Sequence, residues 1–133
     1  MKKWFLILLM IIAIVPLLFG CGGVENDVRH TVTGFFNARD NQQYSKCLDY
    51  LSTQLLNSVG ESQIINNLRN STYFPANSKL YSTGTPKING KTATVWIDIR
   101  YRAQANSATY TFISKQIYLI EESTGWKIDK ISN

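Results

Sequence analysis

The chain has two cysteines and one histidine in 133 residues. Two cysteines exclude a disulfide scaffold and a four-cysteine zinc site. His30 is the single imidazole, and the only adjacent carboxylates, Glu121 and Glu122, point to opposite faces of an expected strand. Three ligands for one metal are therefore not assembled, and neither a metal nor a cofactor is expected. No glycine-rich phosphate loop and no Ser/His/Asp triad is present. Charged residues are scarce at 17%, while 44% are hydrophobic, so the chain is not disordered. The length excludes a second domain, and no internal repeat or low-complexity stretch occurs.

Long uncharged runs are also rare, with one exception at the start. After Met1-Lys2-Lys3, residues Trp4 to Phe19 carry no charge and are broken only by Pro16. A positive start, an apolar run and a small residue before a cut describe a secretory signal peptide over residues 1–20. The run falls short of the ~18 residues of a spanning helix. Gly22-Gly23 follows it rather than a charged stop-transfer cluster. Leu18-Phe19-Gly20-Cys21 resembles the lipobox of bacterial lipoproteins, although Phe19 is bulkier than the residue usual there. The resemblance implies cleavage before Cys21 and lipidation of its thiol. One acyl chain holds a protein to a bilayer only reversibly, at about 0.8 kcal/mol per buried CH₂, whereas two make a stable anchor. The expected organisation is a signal peptide at 1–20, a lipidated Cys21 with a flexible tether over 21–27, and one domain over 28–133. That puts the domain outside the cytoplasm, on a bacterial membrane surface. An uncleaved anchor would also leave it outside.

Loss of Lys2 and Lys3 reduces the basic side chains from 14 to 12, against 9 acidic ones. The remaining charge is spread along the chain and only Arg100 and Arg102 stand close together. A nucleic-acid surface needs a dense basic stripe, so no nucleic-acid partner is expected.

The hydrophobic period changes near Tyr73-Phe74-Pro75. Before it the period is helical. Val28, Val32, Phe35, Phe36 and Arg39 share one face of an expected helix over 26–39, with Asn26 or Asp27 as N-cap. Tyr44, Cys47, Leu48 and Leu51 make a second helix, which buries Cys47 as a small apolar residue. Glu61 to Arg69 makes a third, after a turn at Ser58-Val59-Gly60. Beyond Pro75 the period is two. Ser78 to Ile88 predicts an edge strand interrupted by Gly84 and Pro86. Asn89-Gly90 signals a hairpin. Thr92 to Arg102 alternates, with Ala93, Val95, Ile97 and Ile99 opposite Thr94, Trp96, Asp98 and Arg100. A long strand over Thr109–Glu121 and a short one over Trp126–Ile131 follow. Helices first and antiparallel strands second predict an α+β fold, with N-terminal helices packed on a strongly curved antiparallel sheet.

The ordered set Phe35-Phe36-Asn37, Leu48-Asp49-Tyr50-Leu51, Asn89-Gly90-Lys91-Thr92-Ala93-Thr94-Val95 and Gly125-Trp126-Lys127-Ile128-Asp129 resembles the nuclear transport factor 2-like superfamily. Within it the chain resembles small bacterial lipoproteins of unknown function. The resemblance implies a cone-shaped fold, often dimeric, and no single activity, since binding modules and SnoaL-like isomerases and dehydratases share it.

Among residues that carry chemistry, His30 lies about 200° around the helix from Val28, on the solvent face. Asp98 is the one carboxylate well inside a strand. It is the candidate general base if its face lines a pocket. Otherwise it is a surface charge. Tyr101, Tyr110, Phe112 and Tyr118 are the candidate ligand-binding aromatics. Trp96 and Arg100 are the candidate interface residues, an aromatic anchor with a charged rim. The expected function is a non-enzymatic module that binds a small ligand or a protein near the membrane. The alternative is a small-molecule isomerase or dehydratase with Asp98 as base.

Overall fold

The computed structural model describes residues 23–132. Cys21, Gly22 and the expected signal peptide lie outside the described residues. Among those described, no helix is long and apolar enough to cross a membrane.

The first helix, α1 (Gly23–Asp40), buries Val28, Val32, Phe35, Phe36, Ala38 and Arg39. The stripe is the expected one, but the start is earlier. Gly23–Asp27 is helical rather than a flexible tether, and neither Asn26 nor Asp27 is the N-cap. Glu25 in the first turn complements the positive helix end. The expected helix from Tyr44 to Leu51 is a short α2 (Tyr44–Cys47) followed by a 3₁₀ turn, Leu48–Tyr50. The chain leaves the helix there to meet the sheet. Leu51 forms a parallel bridge with Ile128, and the Ser52 N–H donates to the Ile128 carbonyl at 2.8 Å. Gly34 permits this turn to close on α1, because a Cβ there would lie 2.5 Å from the Tyr50 ring.

A helix not expected from the sequence follows, α3 (Thr53–Val59). Ser52 caps it, accepting from the Leu55 N–H at 3.0 Å and donating to Asp129 Oδ1 at 2.6 Å. Glu122 accepts from both the N–H and the hydroxyl of Thr53. Gly60, at φ 88°, separates α3 from α4 (Glu61–Arg69), where Ile64 and Leu68 are buried.

The sheet order is β1-β3-β4-β5, all antiparallel. β1 (Lys79–Thr83) and β2 (Lys87–Asn89) pair with the same edge of β3 (Thr92–Tyr101). The interruption between them falls at the expected Gly84 and Pro86. Gly90 turns the β2–β3 hairpin at φ 58°, a left-handed angle that favours glycine. β4 (Thr111–Glu122) and β5 (Gly125–Ile131) complete the sheet. Ala93, Val95, Ile97, Ile99, Ile117, Leu119, Trp126 and Ile128 form the sheet half of the core beneath the helices. Their alternation buries one sheet face, so slipping any strand by one residue would expose that set. Bulges at Tyr81 in β1 and at Asp129 in β5, beside Tyr118 of β4, add curvature.

Candidate functional site

The face of the sheet turned away from the helices holds most of the sequence-derived candidates. Asp98 is half-buried there, not inside the cone. It accepts from the Ser114 hydroxyl at 2.6 Å and the Ser82 hydroxyl at 2.7 Å. Those two hydrogen bonds, Ser114 first, hold its carboxyl below the usual carboxylate value. A carboxylate with both oxygens occupied and a lowered pKa is a poor general base at neutral pH.

Trp96, Phe112, Tyr110 and Tyr81 are exposed on the same face. Tyr81 joins them because it is the bulged residue of β1; its ring meets Phe112 edge-on at 5.0 Å. Arg100 lies over the rings of Tyr81 and Tyr110, and Arg102 over Tyr110. The four candidate ligand aromatics do not meet in one cavity. Tyr101 follows Ile99 toward the helix side, and Tyr110 and Phe112 stand at one end of the open face. Tyr118 lies opposite Thr94 at the other end. The period-two argument assigns each to a face, but a sheet has two faces and two ends.

His30 is exposed on α1, as its position around the helix predicts. Cys47 is fully buried, with its thiol directed at the Phe35 carbonyl at 3.7 Å. Burial pushes that thiol up to about 11 against a smaller opposing effect of Arg39.

A cleft of about 400 Å³ opens elsewhere, at the end of α1. Its walls come from the α1–α2 turn, the C-terminal end of α4 and the loop leading into β1. Arg39 forms its floor. The side chain is 7% exposed and lies between the Phe36 and Phe74 rings, 4.8 Å from each centroid. Its Nε and Nη2 both donate to Asp40 Oδ1, at 2.9 and 2.6 Å, and Nη2 also donates to the Ser78 carbonyl at 2.7 Å. Nη1 is buried and has no partner among the described residues. Stranding a charged donor in this way costs about 1–3 kcal/mol or more. The sequence put Arg39 on the buried stripe of α1 without indicating why a cation belongs there.

The three non-glycine residues with positive φ among those described are Gln42, Ser71 and Asn77, and all three line this cleft. Gln42 and Ser71 end α1 and α4 in the same way. The next N–H reaches back five residues in each case, Gln43 to the Ala38 carbonyl at 2.8 Å and Thr72 to the Asn67 carbonyl at 2.9 Å. Such helix ends normally carry glycine or asparagine at the left-handed position. Here a glutamine and a serine put side chains on the cleft instead.

This fold is matched by solved structures. An NTF2-like superfamily protein from Salmonella enterica has a TM-score of 0.61 at 15% identity, with 82% of this chain and 88% of that one covered. The fold is that of the nuclear transport factor 2-like proteins. An NTF2-like protein with a cystatin-like fold from Novosphingobium aromaticivorans has a TM-score of 0.62 at 14% identity, covering 92% and 86%. A ketosteroid isomerase-like protein from Erwinia carotovora atroseptica has a TM-score of 0.58 at 8% identity, covering 84% and 95%. No protein-family model matches the chain, and no curated protein sequence does. At these identities the likeness concerns the NTF2-like fold alone, and activity has to be argued from the residues.

Proposed function

We propose that this chain is a lipid-anchored, extracytoplasmic lipoprotein whose NTF2-like domain is a non-enzymatic binding module, with a small ligand seated in the cleft at Arg39. The observation that carries the binding reading is the ligand-sized cleft itself, whose lining holds Arg39, Arg69 and Lys79 against one carboxylate, together with all three of the described non-glycine residues at positive φ. The anchor rests on Lys2-Lys3 and Leu18-Phe19-Gly20-Cys21. With Gly23–Asp40 helical, a lipid on Cys21 would hold the domain close to the bilayer. An isomerase needs a base facing its substrate; Asp98 faces away from the cone with its oxygens taken by serines, which counts against that reading.

The open sheet face supports a second element of the proposal, association with another copy. Trp96 is 54% exposed and Phe112 52%, in a face rimmed by Arg100 and Arg102. Asp98 is already occupied, so aromatic contact rather than an Asp98–Arg100 pair would hold the two copies together.

Two measurements test the main proposal. Labelled palmitate should enter the wild type and be lost in Cys21→Ala; no label in the wild type would refute the anchor. In a thermal-shift screen, ligands should raise the Tm of the wild type but not of Ala76→Trp, which fills the cleft from its exposed rim. Hits that stabilise both equally would refute the cleft as the site.

A further inference from the structure

The charge of the cleft identifies what it takes. Its lining carries Arg39, Arg69 and Lys79 against one carboxylate, Asp40. Asp40 is committed to Arg39 through the single salt bridge found among the described residues. Arg69 is exposed, with its guanidinium 5.9 Å from the Tyr44 ring centroid, and Lys79 is exposed at the first position of β1. The side chains therefore leave the cleft with two uncompensated positive charges.

An ordinary explanation exists for part of this. Two helices end at the cleft, and cations at helix C-termini offset the negative end of the macrodipole. Each end is equivalent to only about half an elementary charge. Two ends offset about one of the two surplus charges, and the last-turn carbonyls already accept backbone N–H groups. The dipole account also leaves Lys79 unexplained, since it lies on a strand. An anion in the cleft compensates the charge that remains.

We infer that the cleft binds a small organic anion. The inference rests on the cleft being the binding site. The exposed Arg69 and Lys79 pair with the anion at the mouth of the cleft, and the buried Arg39 guanidinium adds its charge from beneath. Leu68, Phe74 and Pro75 add apolar groups to the lining for the rest of the molecule, and Gln42 and Ser71 add polar ones.

The test uses the ¹⁵N-labelled full chain in neutral detergent micelles, titrated with benzoate and separately with uncharged benzamide. Benzoate should shift the amide signals of residues 39–44 and 69–79 saturably, together with the Arg39 Nε–H signal. Benzamide should leave them unchanged. Replacing Arg39 risks the fold, so the variant is Arg69→Gln with Lys79→Gln, both exposed. It should weaken benzoate by about tenfold, the combined effect of two exposed charges. Equal shifts with benzamide would overturn the anion inference while leaving the cleft as a binding site. Unchanged benzoate affinity in the double variant would overturn it too. Silence from both probes in this region would overturn the inference and the cleft reading together.

Discussion

Gln42 and Ser71 hold left-handed conformations in which an L side chain costs about 1–2 kcal/mol, offset in part by the unfolded-state entropy that glycine brings. Gln42→Gly and Ser71→Gly should therefore each stabilise the protein, by about 0.5–1 kcal/mol in a denaturant titration. If either destabilises it, the side chain is holding the fold and is not there for a ligand. Cys47 gives a second residue-scale expectation. Its folded value is raised from 9.0 to about 11 by burial, so the stability tied to this thiol is complete below pH 9 and is lost as pH rises toward 11. At pH 8 its alkylation, followed by mass spectrometry of the Cys47 peptide, should be at least about a hundredfold slower in the folded chain than in denaturant, from thiolate fraction alone. Comparable rates would mean that the thiol is accessible. Asp98 behaves in the opposite sense. Its lowered value gives a contribution present above the usual carboxylate value of 3.8 and lost as pH falls through the folded value. Single residues were legible in the sequence where periodicity decides them, as for Cys47 and His30. Arg39 and Asp98 were not, because their partners Ser78, Ser82 and Ser114 come from other elements and lie 16 to 39 residues away.

At the scale of elements, the periodic segments were read closely. α4 has the expected limits, β2–β3 turns at Asn89-Gly90, and the first strand breaks at Gly84 and Pro86. The departures have tertiary causes. α3 is fastened by Glu122 and Asp129, 69 and 77 residues beyond the groups that they hold. The local signal was Ser52, an N-cap residue type, with Gly60 at the far end. Ser52→Ala removes the cap and leaves Asp129 without its donor, and should cost about 1–2 kcal/mol. The 3₁₀ turn at Leu48–Tyr50 lays the Tyr50 ring against Gly34, where a methyl group would push the ring aside. Trp126, 7% exposed on the core side of β5, should cost about 3–5 kcal/mol as Trp126→Ala. A loss under about 1 kcal/mol would contradict the β5 register, since a one-residue slip would expose the ring.

For the molecule as a whole, the change of period near Pro75 made the α+β class legible, but it did not show where the cavity would be. A curled sheet with helices on one face suggested a pocket lined by sheet aromatics. Beneath the helices that space is filled by Phe35, Phe36, Ile97, Ile99 and Ile117, and the cleft lies at the flank, where α1 and α4 end beside the loop to β1. Cavities form where element ends fail to meet, and a one-dimensional pattern does not record that. The exposed aromatics are instead the surface proposed for association. Sedimentation of the protein in neutral detergent should show a dimer at tens of micromolar that Trp96→Ala with Phe112→Ala converts to monomer; a monomeric wild type would refute the pairing. The central claim concerns the cleft, and native mass spectrometry of protein taken directly from its membrane tests it most directly. A cavity of about 400 Å³ should retain a non-covalent companion of roughly 100–400 Da in the wild type, absent from Ala76→Trp. The same companion on both proteins would contradict the account.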